Sequence, residues 1–201
     1  MSERVTLPER VYKGYIFDLD GTLVDSMPTH YRAWRMALKE NGAPHEAFLW
    51  DEFIAHGGMA APDIVADLNS TYSLNMTPTV VATRKREIYD HLLETEQLPV
   101  IPETMELVQR LKAAGIPYAI GTGSIITGAR ATLRSAGVEE LFPIIVTPDD
   151  VAPGRGKPEP DIFLLAAERM GVPPGECVVF EDARPGICAA IAAGMDYVEV
   201  R

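Results

Sequence analysis

The sequence predicts an α/β fold, a parallel sheet core with helices on both faces, carrying an inserted α-helical cap domain. Three observations lead there. Short apolar runs alternate with amphipathic stretches along most of the chain. One long segment, from Ser26 to about Leu98, has helical periodicity and no convincing strand. Acidic and hydroxyl residues gather where the apolar runs end, and the carboxyl ends of strands are where open α/β sheets bind ligands.

The first strand is expected over 15–18, an apolar run that breaks into a turn at Gly21-Thr22. Beyond it Tyr31, Trp34 and Leu38 share one helical face, and the stretches 64–68 and 80–93 are helical too. Roughly 70 residues of helix therefore separate the first strand from the next βα unit. Turn-prone Ser26 and Pro28 flank this insert on one side, Pro99 and Pro102 on the other. The expected division is a core of 1–25 and 99–201 and a cap of 26–98, hinged over the carboxyl edge of the sheet. The next helix opens with Pro102 near its start and stops at Gly115, with Leu107, Val108 and Leu111 on one face. There follow a strand at 118–121, a helix at about 126–136 before Gly137, and a strand at 144–146. A helix at about 161–170 before Gly171, a strand at 178–180, a helix at about 185–193 before Gly194 and a strand at 197–200 complete the pattern. Such alternation requires right-handed crossovers.

A chain of 201 residues holds one ordinary domain, or a core with a smaller insertion. With 47% hydrophobic and 23% charged residues it reads as a soluble globular protein. A net charge of −11 argues against a nucleic-acid surface, which demands clustered Lys and Arg. No stretch approaches the ~18 apolar residues of a membrane span, and the N-terminus lacks a signal-peptide core. Cys177 and Cys188 make no disulfide framework and no Cys-x-x-Cys. Both are expected to pack as small hydrophobes. The expected setting is the cytoplasm, as a monomer without nucleic-acid or membrane partners.

Four groups of residues carry chemistry. Asp18 and Asp20 sit two apart at the first strand's end, although Asp is a poor strand former. They serve a backbone turn, or they form a hard-metal site with one carboxylate free to attack an electrophile. Thr122-Gly123-Ser124 is a small hydroxyl-rich loop opening a helix, suited to a phosphate oxygen or to an ordinary N-cap. Lys157 stands before Pro158 in a Gly/Pro-rich loop, either solvated or placed to neutralise a carboxylate and a transferring phosphoryl group. Glu181-Asp182 is a second acidic strand end, and two such ends repel unless a cation sits between them. Carboxylates with a carbonyl, waters and a substrate phosphate suit Mg²⁺, and there is no His/Cys cluster to suggest zinc.

The order Asp-x-Asp-Gly-Thr, Thr-Gly-Ser, Lys-Pro, Glu-Asp, each after a strand, resembles the haloacid dehalogenase superfamily and its Rossmann-like core. The insertion just after the first motif is similar to the helical-cap subgroup that contains β-phosphoglucomutase and small sugar phosphatases. Residues 28–35 and 177–183, and the ending at 198–201, look closest to bacterial fructose-1-phosphate/6-phosphogluconate phosphatase-like members. The resemblance covers the chain from about Tyr15. It implies Asp18 as nucleophile and Mg²⁺ ligand, and Asp20 as general acid/base with its backbone carbonyl on the metal. Asp182 would be the other metal carboxylate, and Glu181 a more distant or water-mediated ligand. Thr122 and Lys157 would bind the phosphoryl oxygens, with backbone help from Leu19, Gly123 and Ser124.

In the cap, His30 matches a mutase histidine that orients the general acid, or is a partly buried helix residue. Lys85 matches a substrate-binding lysine, or is solvated among Arg84 and Arg86. The mutase's Gly-x-Ser-Arg element, which grips a second phosphate, is replaced by His56-Gly57-Gly58-Met59-Ala60-Ala61-Pro62, favouring hydrolysis over isomerisation. The expected activity is Mg²⁺-dependent hydrolysis of a small sugar phosphate or related phosphomonoester through a phospho-Asp18 intermediate. The alternatives are a hexose-phosphate mutase and a non-catalytic phospho-receiver domain.

Overall fold

The computed structural model describes residues 10–201, so the first nine residues of the expected core and the signal-peptide reading lie outside the described residues. Strand β1 (Gly14–Phe17) is buried at every position, as a strand in a parallel sheet covered on both faces must be. Helices α1 (Met27–Glu40), α2 (Trp50–Ala55), α3 (Ala61–Tyr72) and α4 (Pro78–Leu93) follow without an intervening strand. Then come α5 (Pro102–Ala114), β2 (Tyr118–Gly121), α6 (Ile126–Ser135), β3 (Ile145–Val146), α7 (Asp161–Met170), β4 (Cys177–Glu181), α8 (Arg184–Ala192) and β5 (Asp196–Glu199).

The chain forms two compact units. One is Ser26–Glu96; the other joins the chain up to Asp25 with Gln97–Arg201. The helical unit closes on its own core of Trp34, Leu38, Phe53, Val65, Val81 and Ile88, with α1 and α3 packed against α4. Its α2 went unseen in the sequence, because six residues burying Phe53 alone are too few to show a period.

The other unit is a five-stranded parallel sheet in the order β3-β2-β1-β4-β5. Ile16 lies beside Ala119 on one side and Val179 on the other, so β1 is central. Helix α7 packs on β1, β2 and β3, and α8 on β4 and β5. Together they enclose Ile16, Val146, Ile162, Phe163 and Val179. Phe17 and Phe180, cross-strand neighbours, stack with centroids 4.9 Å apart. Among the described residues, no helix is long and apolar enough to cross a membrane.

One expectation fails. Cys177 is buried in β4, but Cys188 is exposed. Helix α8 buries Gly186, Ala189 and Ala190, and Cys188 falls off that face; its Ala-rich sequence shows too weak a period to reveal this.

Candidate active site

The acidic and hydroxyl side chains of the site are placed by the ends of strands. The Asp18 N–H donates to the Phe180 carbonyl at 2.9 Å, the last rung between β1 and β4, and the chain then leaves the sheet. The Leu19 carbonyl accepts from the N–H groups of Leu23 and Val24 at 3.0 Å each, closing a tight turn. Gly21 at its corner has φ +88°, a conformation that favours glycine. A methyl group there would also collide with the Asp182 carboxylate, so the turn fixes how closely the first and last motifs approach.

Lys157 reaches back into the sheet. Its Nζ donates to Asp18 Oδ1 and to Glu181 Oε1, both at 2.6 Å, and lies 4.8 Å from the Phe163 ring centroid. The side chain is only 6% exposed, so the solvated-loop alternative is wrong. Oε2 of Glu181 accepts the Ala183 N–H at 2.7 Å, which engages both oxygens of that carboxylate. Each of Asp18, Glu181 and Asp182 offers a carboxylate oxygen to a group within 4.8 Å of one another. Thr22, to which the sequence reading gave no role, donates from Oγ1 to Asp182 Oδ1 at 3.5 Å; its only signal was its place in the Gly-Thr turn.

On the neighbouring strand end Thr122 is buried, and its Oγ1 accepts the Ser124 N–H at 3.1 Å in a local hydroxyl turn. Ser124 Oγ donates to Asp20 Oδ2 at 2.8 Å, so the loop and the first motif are joined by a side-chain hydrogen bond. Gly123 is exposed. The N-cap alternative for these residues does not hold. The cap position of α6 is Ile125, and the Ile126 N–H is taken by Asp149 Oδ2 at 2.9 Å, a distant partner that the sequence did not reveal.

The electrostatics are lopsided. Burial raises the Asp18 carboxyl well above the ordinary carboxylate range; Lys157 opposes this, while Glu181, Asp182 and Asp20 add to it. Burial, then repulsion from Glu181, pushes Asp182 up to about 7. For Lys157 the two carboxylates outweigh burial, so its ammonium is held charged. One ammonium thus bonds two carboxylates, with Asp182 and Asp20 near enough to Asp18 to add negative charge. The all-oxygen donor set and the unbalanced negative charge fit a hard divalent cation.

His30 and Lys85 belong to the helical unit and are brought together there. Lys85 Nζ lies 2.7 Å from His30 Nδ1, and the His30 ring stacks on Tyr89 at 3.8 Å. A Lys85 ammonium donates in this contact, with His30 Nδ1 as its acceptor. Lys85 also lies over the rings of Tyr89 and Trp34, half-buried rather than freely solvated. In the loop that lacks the mutase arginine, His56 is buried between the Glu52 carbonyl at 2.7 Å and Asp67 Oδ2 at 2.9 Å, a packing role between α2 and α3.

Comparisons with known proteins agree with this geometry. Fructose-1-phosphate phosphatase YqaB of Escherichia coli is 40% identical over 192 residues, 94% of this chain and 97% of its own. Hexitol phosphatase A of the same organism is 38% identical over 191 residues, 94% and 82% of the two chains. Among solved structures, CbbY from Rhodobacter sphaeroides in complex with phosphate superposes with a TM-score of 0.79 at 26% identity, covering 93% of this chain and 85% of that one. β-Phosphoglucomutase from Clostridium difficile gives a TM-score of 0.76 at 25% identity, covering 93% and 83%. The family model for haloacid dehalogenase-like hydrolases matches residues 12–194, and with it this chain belongs to that family.

Proposed function

We propose that the protein is a Mg²⁺-dependent phosphatase of small phosphorylated sugars, polyols or sugar acids, working through a phospho-aspartate on Asp18. The observation that carries this reading is the buried ammonium of Lys157 between Asp18 and Glu181, with Asp182 beside them. That arrangement is suited to holding a carboxylate nucleophile against a phosphoryl group. Two relatives named for fructose-1-phosphate and hexitol phosphatase activity support the substrate class. Asp18, Asp182 and the Asp20 carbonyl would hold the cation, with Glu181 further out. When bound it would offset the carboxylate and phosphoryl charge.

Asp18 attacks phosphorus as the bond to the leaving alkoxide breaks, and Asp20 gives that alkoxide its proton. Asp20 then takes a proton from water, which displaces Asp18 and releases inorganic phosphate. Lys157 and Thr122 bind the phosphoryl oxygens with the backbone of Leu19, Gly123 and Ser124. Ser124 Oγ donates to Asp20 Oδ2 and so orients the carboxyl group that handles the proton. By the resemblance, His30 and Lys85, paired within the helical unit, would be substrate-binding residues. With His56 committed to packing and no arginine at 56–62, this loop lacks the mutase's grip for a second phosphate, which favours water as the acceptor.

Phosphate release from fructose-1-phosphate, hexitol phosphates, phosphogluconate and mononucleotides, with Mg²⁺ and with EDTA, tests the proposal. Turnover of sugar or polyol phosphates that disappears with EDTA and in Asp18→Asn is expected. Release from no sugar or polyol phosphate, or an active Asp18→Asn, overturns it.

A further inference from the structure

Helix α8 opens with Arg184-Pro185-Gly186, and Gly186 is buried in its first turn. Its φ lies outside the left-handed region and its backbone is helical, so no conformation there calls for glycine. Helix propensity alone favours alanine at such a position. What excludes a side chain is Glu181. A methyl group built on Gly186 would overlap the Oε1, Cδ and Cγ atoms of Glu181, and its three nearest neighbours all belong to that one side chain.

That carboxylate has little room to yield. It is 1% exposed, with Oε1 on Lys157 Nζ at 2.6 Å and Oε2 on the Ala183 N–H at 2.7 Å. Turning away from a methyl group would break one or both bonds and release one of the two anchors of the Lys157 ammonium. We infer that Gly186 is a positioning residue for the reaction: the space left by its missing side chain is the seat of the Glu181 carboxylate, and through it Lys157 is held against Asp18. Gly186 touches no reacting atom. Its effect passes through Glu181, whose atoms are the nearest to that space, so the inference requires it to vanish when Glu181 has no carboxylate.

This inference rests on the phosphatase reading for its kinetic readout, and a double-mutant cycle tests it. A displacement of about 1 Å at a reacting group costs about a hundredfold in rate, so Gly186→Ala is expected to lose on that order in turnover while melting close to the wild type. In the Glu181→Ala background, where the colliding atoms are gone, adding Gly186→Ala is expected to change turnover less than about twofold. Gly128→Ala, also in a helix but with its nearest neighbour 4.0 Å away, serves as a control that keeps wild-type turnover. Full activity of Gly186→Ala, or a further large loss on adding it to Glu181→Ala, overturns the inference. Should Gly186→Ala alone not fold, the comparison within the Glu181→Ala background still decides. Should the wild type hydrolyse no phosphomonoester, the phosphatase reading fails separately. A crystal structure of Gly186→Ala then decides, where a Glu181–Lys157 separation beyond about 3.5 Å upholds the seat and an unchanged contact refutes it.

Discussion

Replacing Lys157 with methionine removes the charge and keeps the length and apolar stem of the side chain. In the wild type the ammonium is 6% exposed, and its two partners, Asp18 and Glu181, are 9% and 2% exposed. Screening by solvent is therefore slight. The variant leaves two buried carboxylates without their cation, a loss of about 3–5 kcal/mol. A 201-residue chain shifts its melting temperature by about 2–4 °C per kcal/mol, so a fall of about 6–20 °C is expected in metal-free buffer. The Asp18 carboxyl, already raised by burial, loses the opposing charge of Lys157 and takes up a proton more readily, so its folded-state pKa rises further above the unfolded value. Folded protein then binds more protons than unfolded, so the variant's stability declines as pH rises through that gap. The difference from wild type should accordingly be larger at pH 7.5 than at pH 5.5, by about 1.4 kcal/mol per pH unit for each proton involved. Urea denaturation of both proteins in EDTA at the two pH values measures this. Equal stability at pH 7.5, or a difference that does not shrink on acidification, would refute the reasoning.

Two further outcomes are expected. Asp182, pushed up to about 7, keeps its proton in the metal-free protein well above the ordinary carboxylate range, so the folded state gains from that proton at acidic pH and loses the advantage as pH rises to about 7. Mg²⁺ binding should therefore release protons below pH 7 and tighten as pH approaches it; calorimetry in two buffers of different ionisation enthalpy reads this, and proton-free binding at pH 6 contradicts it. The two cysteines should separate sharply towards a thiol reagent, because Cys188 is exposed while burial pushes the Cys177 thiol up to about 11. One fast equivalent per native chain is expected, with the second released only by denaturant, and two fast equivalents would contradict the burial of β4.

Much of the fold was legible because buried parallel strands are written as unbroken apolar runs. All five strands fall within one residue of their expected ends, and α7 matches its expected span. The acidic and hydroxyl groups were legible because a strand end is a local event, visible in a few consecutive letters. What escaped is long-range. Nothing near Lys157 announces that its ammonium is buried against Asp18, 139 positions away. The capping of α6 by Asp149 and the seating of Glu181 over Gly186 are likewise meetings of separate loops and helices. Cys188 was misjudged because an Ala-rich helix offers no contrast by which to orient its faces.

The central place of β1 bears on how this chain folds as it is made. Its partners are β2 at Tyr118–Gly121 and β4 at Cys177–Glu181, while Ser26–Glu96 needs only its own residues to close its core. During synthesis the helical unit is therefore the first that can fold, and β1 waits with its apolar face unpaired until β2 and then β4 emerge. Such non-local pairing is slow, and a chain stopped short of β4 carries Asp18 but neither Glu181 nor a finished sheet. The strand that ends at Asp18 is made first and is among the last to be locked in, so the site cannot form ahead of the fold that protects it.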